Sequence, residues 1–240
     1  MRENSISKRN PLRIVITGGS SGIGKAIALE LAKEGHSLFL TGRNKERLQD
    51  ATQNVQEMGG FGYFGVGDVG NENDVDRLFS RALEALGGVD VLIASAGIGH
   101  FGLLEEMTIE QFDSQFRTNV RGVFLWLRKA LPIMKKQNHG QIIVISSNLG
   151  LNIRARASLY AATKHAVQAM TQSLRQELRG TLVKAATINP GSVDTPWFDG
   201  KNVDRTKMLS ANDVAKATKI IVEQNKTSDI DHILLLPGRE

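Results

Sequence analysis

Short runs of β-branched and apolar residues alternate with stretches of helical periodicity along this chain. Strand-like runs fall at 13–17, 37–41, 62–66, 89–94, 141–146, 183–188 and 233–236. The first, Arg13-Ile14-Val15-Ile16-Thr17, is continuously apolar at its centre, as a strand covered on both faces requires. Helical spacing follows at Ile23, Ile27, Leu31 and Ala32. Seven such strands separated by amphipathic helices predict an α/β fold, a doubly wound parallel sheet with helices on both faces. In such sheets ligands bind beyond the carboxyl ends of the strands, where the strand order reverses. Leu131-Pro132 falls inside a long helical pattern and predicts a local kink.

The 240 residues, 41% of them hydrophobic, suffice for one large core. The chain therefore reads as a flexible N-terminal tail over 1–11 and a single domain over 12–240. The tail is polar and basic and lacks the apolar segment of a secretory signal, and no apolar run approaches the ~20 residues of a membrane helix. With no cysteine, disulfides and thiolate metal sites are excluded, and a cytoplasmic location is expected. The five histidines, His36, His100, His139, His165 and His232, show no metal-ligand spacing, so no metal site is expected. The net charge of +5 comes from basic residues dispersed among acidic ones, without interleaved aromatics. That argues against a nucleic-acid or membrane partner and suits a solvated surface that draws in a polyanionic cofactor.

Two motifs carry chemistry. The first strand ends in Gly18-Gly19-Ser20-Ser21-Gly22-Ile23-Gly24, a strand–glycine turn–helix in which free N–H groups at the helix start attract phosphate. Gly19 to Lys25 fits part of a P-loop, but Ala26 stands where a magnesium-binding hydroxyl is needed. The spacing also departs from the usual G-x-G-x-x-G of dinucleotide folds. The second motif is Tyr160-x-x-x-Lys164, with Ser147 thirteen residues upstream. Residues four apart share a helix face, so the ammonium can favour the ionised phenol and tune it as an acid or base. Alone, such a pair can equally cover a helix surface.

Together, the glycine spacing and the Ser147, Tyr160 and Lys164 constellation resemble the short-chain dehydrogenase/reductase family in its shorter single-domain subgroup, over nearly the whole chain from Arg13 to Leu236. Further landmarks follow in the family's order: Asp68-Val69, Ala96-Gly97, Asn119 and Asn189-Pro190-Gly191. The resemblance implies a Rossmann fold with strand order 3-2-1-4-5-6-7. It implies Tyr160 as proton donor, Lys164 lowering its pKa and holding the nicotinamide ribose, and Ser147 bonding the substrate oxygen, with Ser146 as fallback. Asn119 is expected to hold a water path to Lys164, or to act only as a local hydrogen-bonding residue. Ala94-Ser95-Ala96-Gly97 departs from the family's two asparagines before Ala-Gly, which is expected to loosen the central strand's hydrogen bonds.

The cofactor residues implied are Gly18, Ser20, Ser21, Gly22, Ile23, Gly24, Arg43, Asp68, Val69, Ala96, Gly97, Tyr160, Lys164, Pro190, Gly191, Val193 and Thr195. Gly42 occupies the position of the NAD-selecting acid and Arg43 follows, which favours NADP(H) with NAD(H) still possible. Ser21 stands where many NADP enzymes of the family carry a second basic residue, so the preference is expected to be moderate. Asp68 and Val69 would hold adenine, although Asp68 is also placed to cap the next helix, a task for which Asn71 competes. Val193 would hold the carboxamide through its backbone. The expected reaction is hydride transfer between NADP(H) and a carbonyl or secondary alcohol; the alternative is a non-catalytic NADP-binding sensor or scaffold. Substrate contacts are sought at His100, Arg154, Trp197 and Phe198. The two aromatics would form a flap over the nicotinamide or pack on the domain or a partner subunit, and Arg154 with Arg156 would receive an acidic tail. A homodimer or homotetramer through 120–135 and 160–179 is the family expectation.

Overall fold

A computed structural model describes residues 10–238, so the expected tail lies almost wholly outside the described residues. Seven strands form one parallel sheet. They are β1 (Arg13–Thr17), β2 (Ser37–Gly42), β3 (Phe61–Val66), β4 (Val91–Ala94), β5 (Gly140–Ile145), β6 (Val183–Pro190) and, last in the chain, β9 (His232–Leu235). Their order is β3-β2-β1-β4-β5-β6-β9, as the resemblance implied once two short intervening strands are counted. Those are β7 (Val193–Asp194) and β8 (Leu209–Ser210), a two-residue ladder pairing Val193 with Leu209 and Asp194 with Ser210. Both are too short for a hydrophobic period to reveal.

The alternation along β1 sorts the core into two layers. Ile14 and Ile16 face α1 (Gly22–Ala32), α2 (Lys45–Glu57) and α7 (Ala211–Val222), packing with Ile27, Leu31, Leu48 and Val214. Val15 faces the opposite layer of α3 (Glu72–Leu86), α5 (Gly122–Gln137) and α6 (Ser158–Glu177), packing with Leu78, Trp126 and Val167. Truncating one such buried aliphatic side chain to alanine costs about 2–5 kcal/mol. A short helix, α4 (Ile109–Phe116), leads through a π-helical turn at Arg117–Arg121 into α5, which runs on through Pro132. Among the described residues no helix is long and apolar enough to cross a membrane.

β4 starts two residues later than the sequence pattern predicts. The Gln137 side chain takes the place of a ladder there, accepting from the Val89 N–H at 3.2 Å and donating to the Val89 carbonyl at 2.9 Å. At this amino-terminal edge of the sheet Arg13 closes on Asp90, with Nη2–Oδ1 at 2.7 Å and Nε–Oδ2 at 2.9 Å. Nearby, buried His36 accepts at Nδ1 from the Leu12 N–H at 3.2 Å. The anchoring charges therefore sit at the end of the sheet away from the glycine turn.

Candidate active site

The turn between β1 and α1 depends on its glycines. Gly18 and Gly22 are left-handed, at φ 67° and 53°. A Cβ on Gly18 would lie 2.8 Å from the Ala96 Cα, and one on Gly24 would lie 2.3 Å from the Gly18 carbonyl oxygen. No side chain caps α1 at Ser21 and no acidic residue occupies its first turn, so the helix presents N–H groups and positive dipole without an intrinsic counter-charge.

This turn opens on a cleft of about 980 Å³ at the carboxyl ends of the strands. The catalytic and cofactor residues expected at the site all line it except Asn119, which lies behind its wall. The substrate candidates His100, Arg154, Trp197 and Phe198 are among the lining residues, whereas Arg156 is not.

At the centre of the cleft the Tyr160 hydroxyl faces Ser147, whose hydroxyl acts to lower the phenol's pKa. Ser147 Oγ also accepts from the Leu149 N–H at 3.1 Å. Ser146, the fallback, donates instead to the Lys164 carbonyl at 3.3 Å and so serves to hold α6. Burial acts against the expected lowering of the phenol's pKa by Lys164. It pushes Tyr160 up to about 12, opposed by the Ser147 hydroxyl. Burial likewise pushes Lys164 down to about 8. Its Nζ lies 5.6 Å from the Tyr160 ring centroid and donates to the Ile145 carbonyl at 2.9 Å. The i, i+4 spacing brings the two groups together, and burial sets the direction of both shifts.

Asn119 sits in the π-helical turn with its side chain fully engaged. Oδ1 accepts from the Ile98 N–H, and Nδ2 donates to the Ile98 carbonyl, both at 2.8 Å, and to Thr163 Oγ1 at 3.0 Å. Its side chain therefore holds the segment after β4 against α6. The loosening expected from Ala94-Ser95 does not occur, because Thr17 Oγ1 accepts from the N–H groups of Ser95 at 3.1 Å and Ala96 at 3.2 Å.

Beside the glycine turn, Gly42 leaves room for Ser20, whose Oγ would lie 3.1 Å from a Cβ at position 42. Arg43 is exposed at this end of the cleft. Asp68 is more engaged than the sequence suggests: it accepts from the Gly70 N–H at 2.9 Å and pairs with Arg117. Asn71, not Asp68, caps α3, accepting from the Asp74 N–H at 3.1 Å.

At the other end, Tyr160 is flanked by Phe101, with centroids 5.1 Å apart, and by Trp197, edge-on at 5.9 Å. A Cβ on Gly99 would lie within 2.9 Å of atoms in all three rings, so only glycine permits this aromatic cluster. Substrate specificity was expected in the segments 100–104, 149–157 and 196–207, which contain Phe101 and Lys201 without naming either, whereas Gly99 was not expected at the site. The one available signal was Gly97-x-Gly99 running directly into His100-Phe101. His100 is held by α4, its N–H donating to Gln115 Oε1 and its Nε2 lying 3.3 Å from Ser114 Oγ.

Comparison with known proteins agrees with this geometry. An uncharacterised oxidoreductase of Staphylococcus aureus is 36% identical over 224 residues, spanning 93% of this chain and 96% of that protein. The structure of an alcohol dehydrogenase from the archaeon Thermococcus sibiricus, complexed with 5-hydroxy-NADP, matches with a TM-score of 0.86 at 30% identity, covering 92% of this chain and 94% of that one. A 3-ketoacyl-(acyl-carrier-protein) reductase from Brucella melitensis, complexed with NADH, matches with a TM-score of 0.88 at 27% identity, covering 97% and 99%. Residues 13–206 match the family described as short chain dehydrogenase. With its glycine turn, strand order and Ser147–Tyr160–Lys164 centre in place, this chain is an oxidoreductase belonging to the short-chain dehydrogenase/reductase family.

Proposed function

We propose that the protein transfers hydride between NADP(H) and a carbonyl or secondary alcohol, with Tyr160 as general acid and base. The observation that carries this reading is the convergence of Ser147, Tyr160 and Lys164, the ammonium 5.6 Å from the phenol ring centroid, in the cleft onto which the glycine turn opens. The residues present fit a dinucleotide. The glycines leave a cradle that side chains would fill, α1 offers uncapped N–H groups, and Arg43 stands exposed beside Gly42 for a 2′-phosphate.

The nicotinamide, when bound, supplies or takes up hydride. Ser147 orients the reacting oxygen through its hydroxyl. A phenol raised to about 12 is protonated at neutral pH, which suits it to deliver a proton to the oxygen of a carbonyl undergoing reduction. Lys164 supplies the positive charge that stabilises the resulting phenolate and holds the ribose hydroxyls. Phe101, Trp197 and Phe198 exclude water from the reacting centre. Asp68 and Val69 hold adenine, and the backbone at Val193 holds the carboxamide. Half-exposed Phe124, beside Phe116 and Val120 on α4, the π-helical turn and α5, supports assembly with further copies of the chain.

The test is a panel of ketones, aldehydes and alcohols followed by NADPH absorbance, with NADH in parallel. Tyr160→Phe should bind cofactor normally and lose about 10²–10⁴ in turnover. Near-native turnover in that variant would overturn the assigned mechanism.

A further inference from the structure

Several arginines are neutralised in place: Arg13 by Asp90, Arg117 by Asp68, and Arg205 by both Asp194 and Asp199. Two cations at the substrate end of the cleft are not. Arg154 and Lys201 both line it, and neither has a carboxylate partner among the described residues. The Lys201 ammonium is held over the aromatic floor, 5.5 Å from the Phe198 centroid and 5.7 Å from that of Trp197. The nearby acids that would quench this charge, Asp194 and Asp199, are drawn off by Arg205, which reaches Asp199 Oδ1 at 2.9 Å. Asp68 is the one acidic residue lining the cleft among those described, and Arg117 already engages it. A concave apolar wall with uncompensated positive charge concentrates field toward anions.

We propose that this end of the cleft selects carbonyl or alcohol substrates that carry an anionic group, carboxylate or phosphate, on an apolar body, with Arg154 and Lys201 binding the anion. The inference rests on the oxidoreductase reading and adds the substrate class. It replaces the Arg154–Arg156 pair expected from the sequence with Arg154 and Lys201. Arg156 instead takes a left-handed backbone conformation at φ 63° and uses its carbonyl to accept from the Gly102 N–H at 3.0 Å.

The experiment titrates NADP-saturated protein with benzoylpropionate, its amide and phenacyl phosphate. Binding is read by fluorescence of Trp197, since Trp126 is buried away from ligand. The better of the two anions should bind about tenfold or more tightly than the amide, with the gap narrowing as salt is added. Arg154→Gln and Lys201→Gln should each cut this preference several-fold, and the double variant should abolish it. Whichever anion binds more tightly identifies the natural group. Equal binding of acid, phosphate and amide, or a preference that survives the double substitution, overturns the proposal. Turnover of the same ketones with NADPH separates the two readings. Selective anion binding with no turnover of any ketone removes the hydride-transfer reading and retains the anion site. Equal reduction and equal binding of amide and acid does the reverse.

Discussion

Asn119 and Ile98 are joined by two hydrogen bonds of 2.8 Å, one in each direction, so a single side-chain amide satisfies both main-chain polar groups of a residue in the cleft wall. The third bond, to Thr163 Oγ1, ties the same amide to α6 one residue before Lys164. The position of Ile98 relative to the reactive lysine is thereby fixed by one residue of the π-helical turn.

Asn119→Ala should lower stability by about 2–4 kcal/mol, because the Ile98 N–H and carbonyl would lose buried partners. Asn119→Asp keeps an acceptor for the Ile98 N–H but, when ionised, sets a buried carboxylate oxygen against the Ile98 carbonyl, so at neutral pH it should cost at least as much as Asn119→Ala. Denaturant unfolding of the three proteins measures this; equal midpoints would show that water replaces the amide without cost.

Arg43→Leu should weaken NADPH by about 1.5–3 kcal/mol, the contribution of a charge-assisted hydrogen bond to the 2′-phosphate, while NADH affinity changes little. Parallel fluorescence titrations decide it. If both cofactors weaken equally, Arg43 acts on the shared part of the dinucleotide.

Lys164→Met should weaken NADPH binding yet raise thermal stability. Burial holds the ammonium at a pKa of about 8 against an ordinary 10.5, a penalty of roughly 3 kcal/mol at neutral pH. The hydrogen bond to Ile145 returns about 1–2 kcal/mol of that. Between about pH 8 and 10.5 the unfolded chain keeps a proton that the folded chain has released, so native stability should rise across this window and the Met variant should lack the rise. A melting temperature that falls on substitution contradicts the sign.

His36 sets a second, acid-side dependence. Burial lowers its pKa below the ordinary 6.5, against the raising effect of Glu34 and Glu223. Because Nδ1 must accept from Leu12, the folded state favours the neutral ring. Its contribution is complete above the ordinary value and should be lost as pH falls through 6.5 toward the folded pKa. Melting curves from about pH 8 to 5.5 should therefore slope downward, and more gently in His36→Asn. Identical slopes in both proteins would assign the loss to other groups.

The parts of this structure that were legible in the sequence are those governed by local rules. Ile14, Val15 and Ile16 announce a strand covered on both faces, and the glycines at 18, 22 and 24 announce a turn whose backbone excludes side chains. What escaped depends on residues distant in the chain. The aromatic cluster is made by Gly99, Phe101, Tyr160 and Trp197 from separate loops and a helix. The free charge on Lys201 follows from Arg205 engaging Asp194 and Asp199, which spacing alone does not disclose. The upward push of burial on Tyr160 is not legible in an i, i+4 argument, which counts the neighbouring charge and not the water removed from around both groups.

The two-residue ladder of β7 and β8 has a consequence for how this fold can be re-engineered. By pairing Val193 with Leu209 it fastens together the two ends of the segment 195–208, which carries Trp197, Phe198 and Lys201. The closure is local, so a longer or shorter insert adds only the slowly growing entropy of a larger loop, about 0.6 kcal/mol for each doubling. The segment is thus a cassette: exchanging it can redirect selectivity while Ser147, Tyr160 and Lys164, which lie outside it, keep their places.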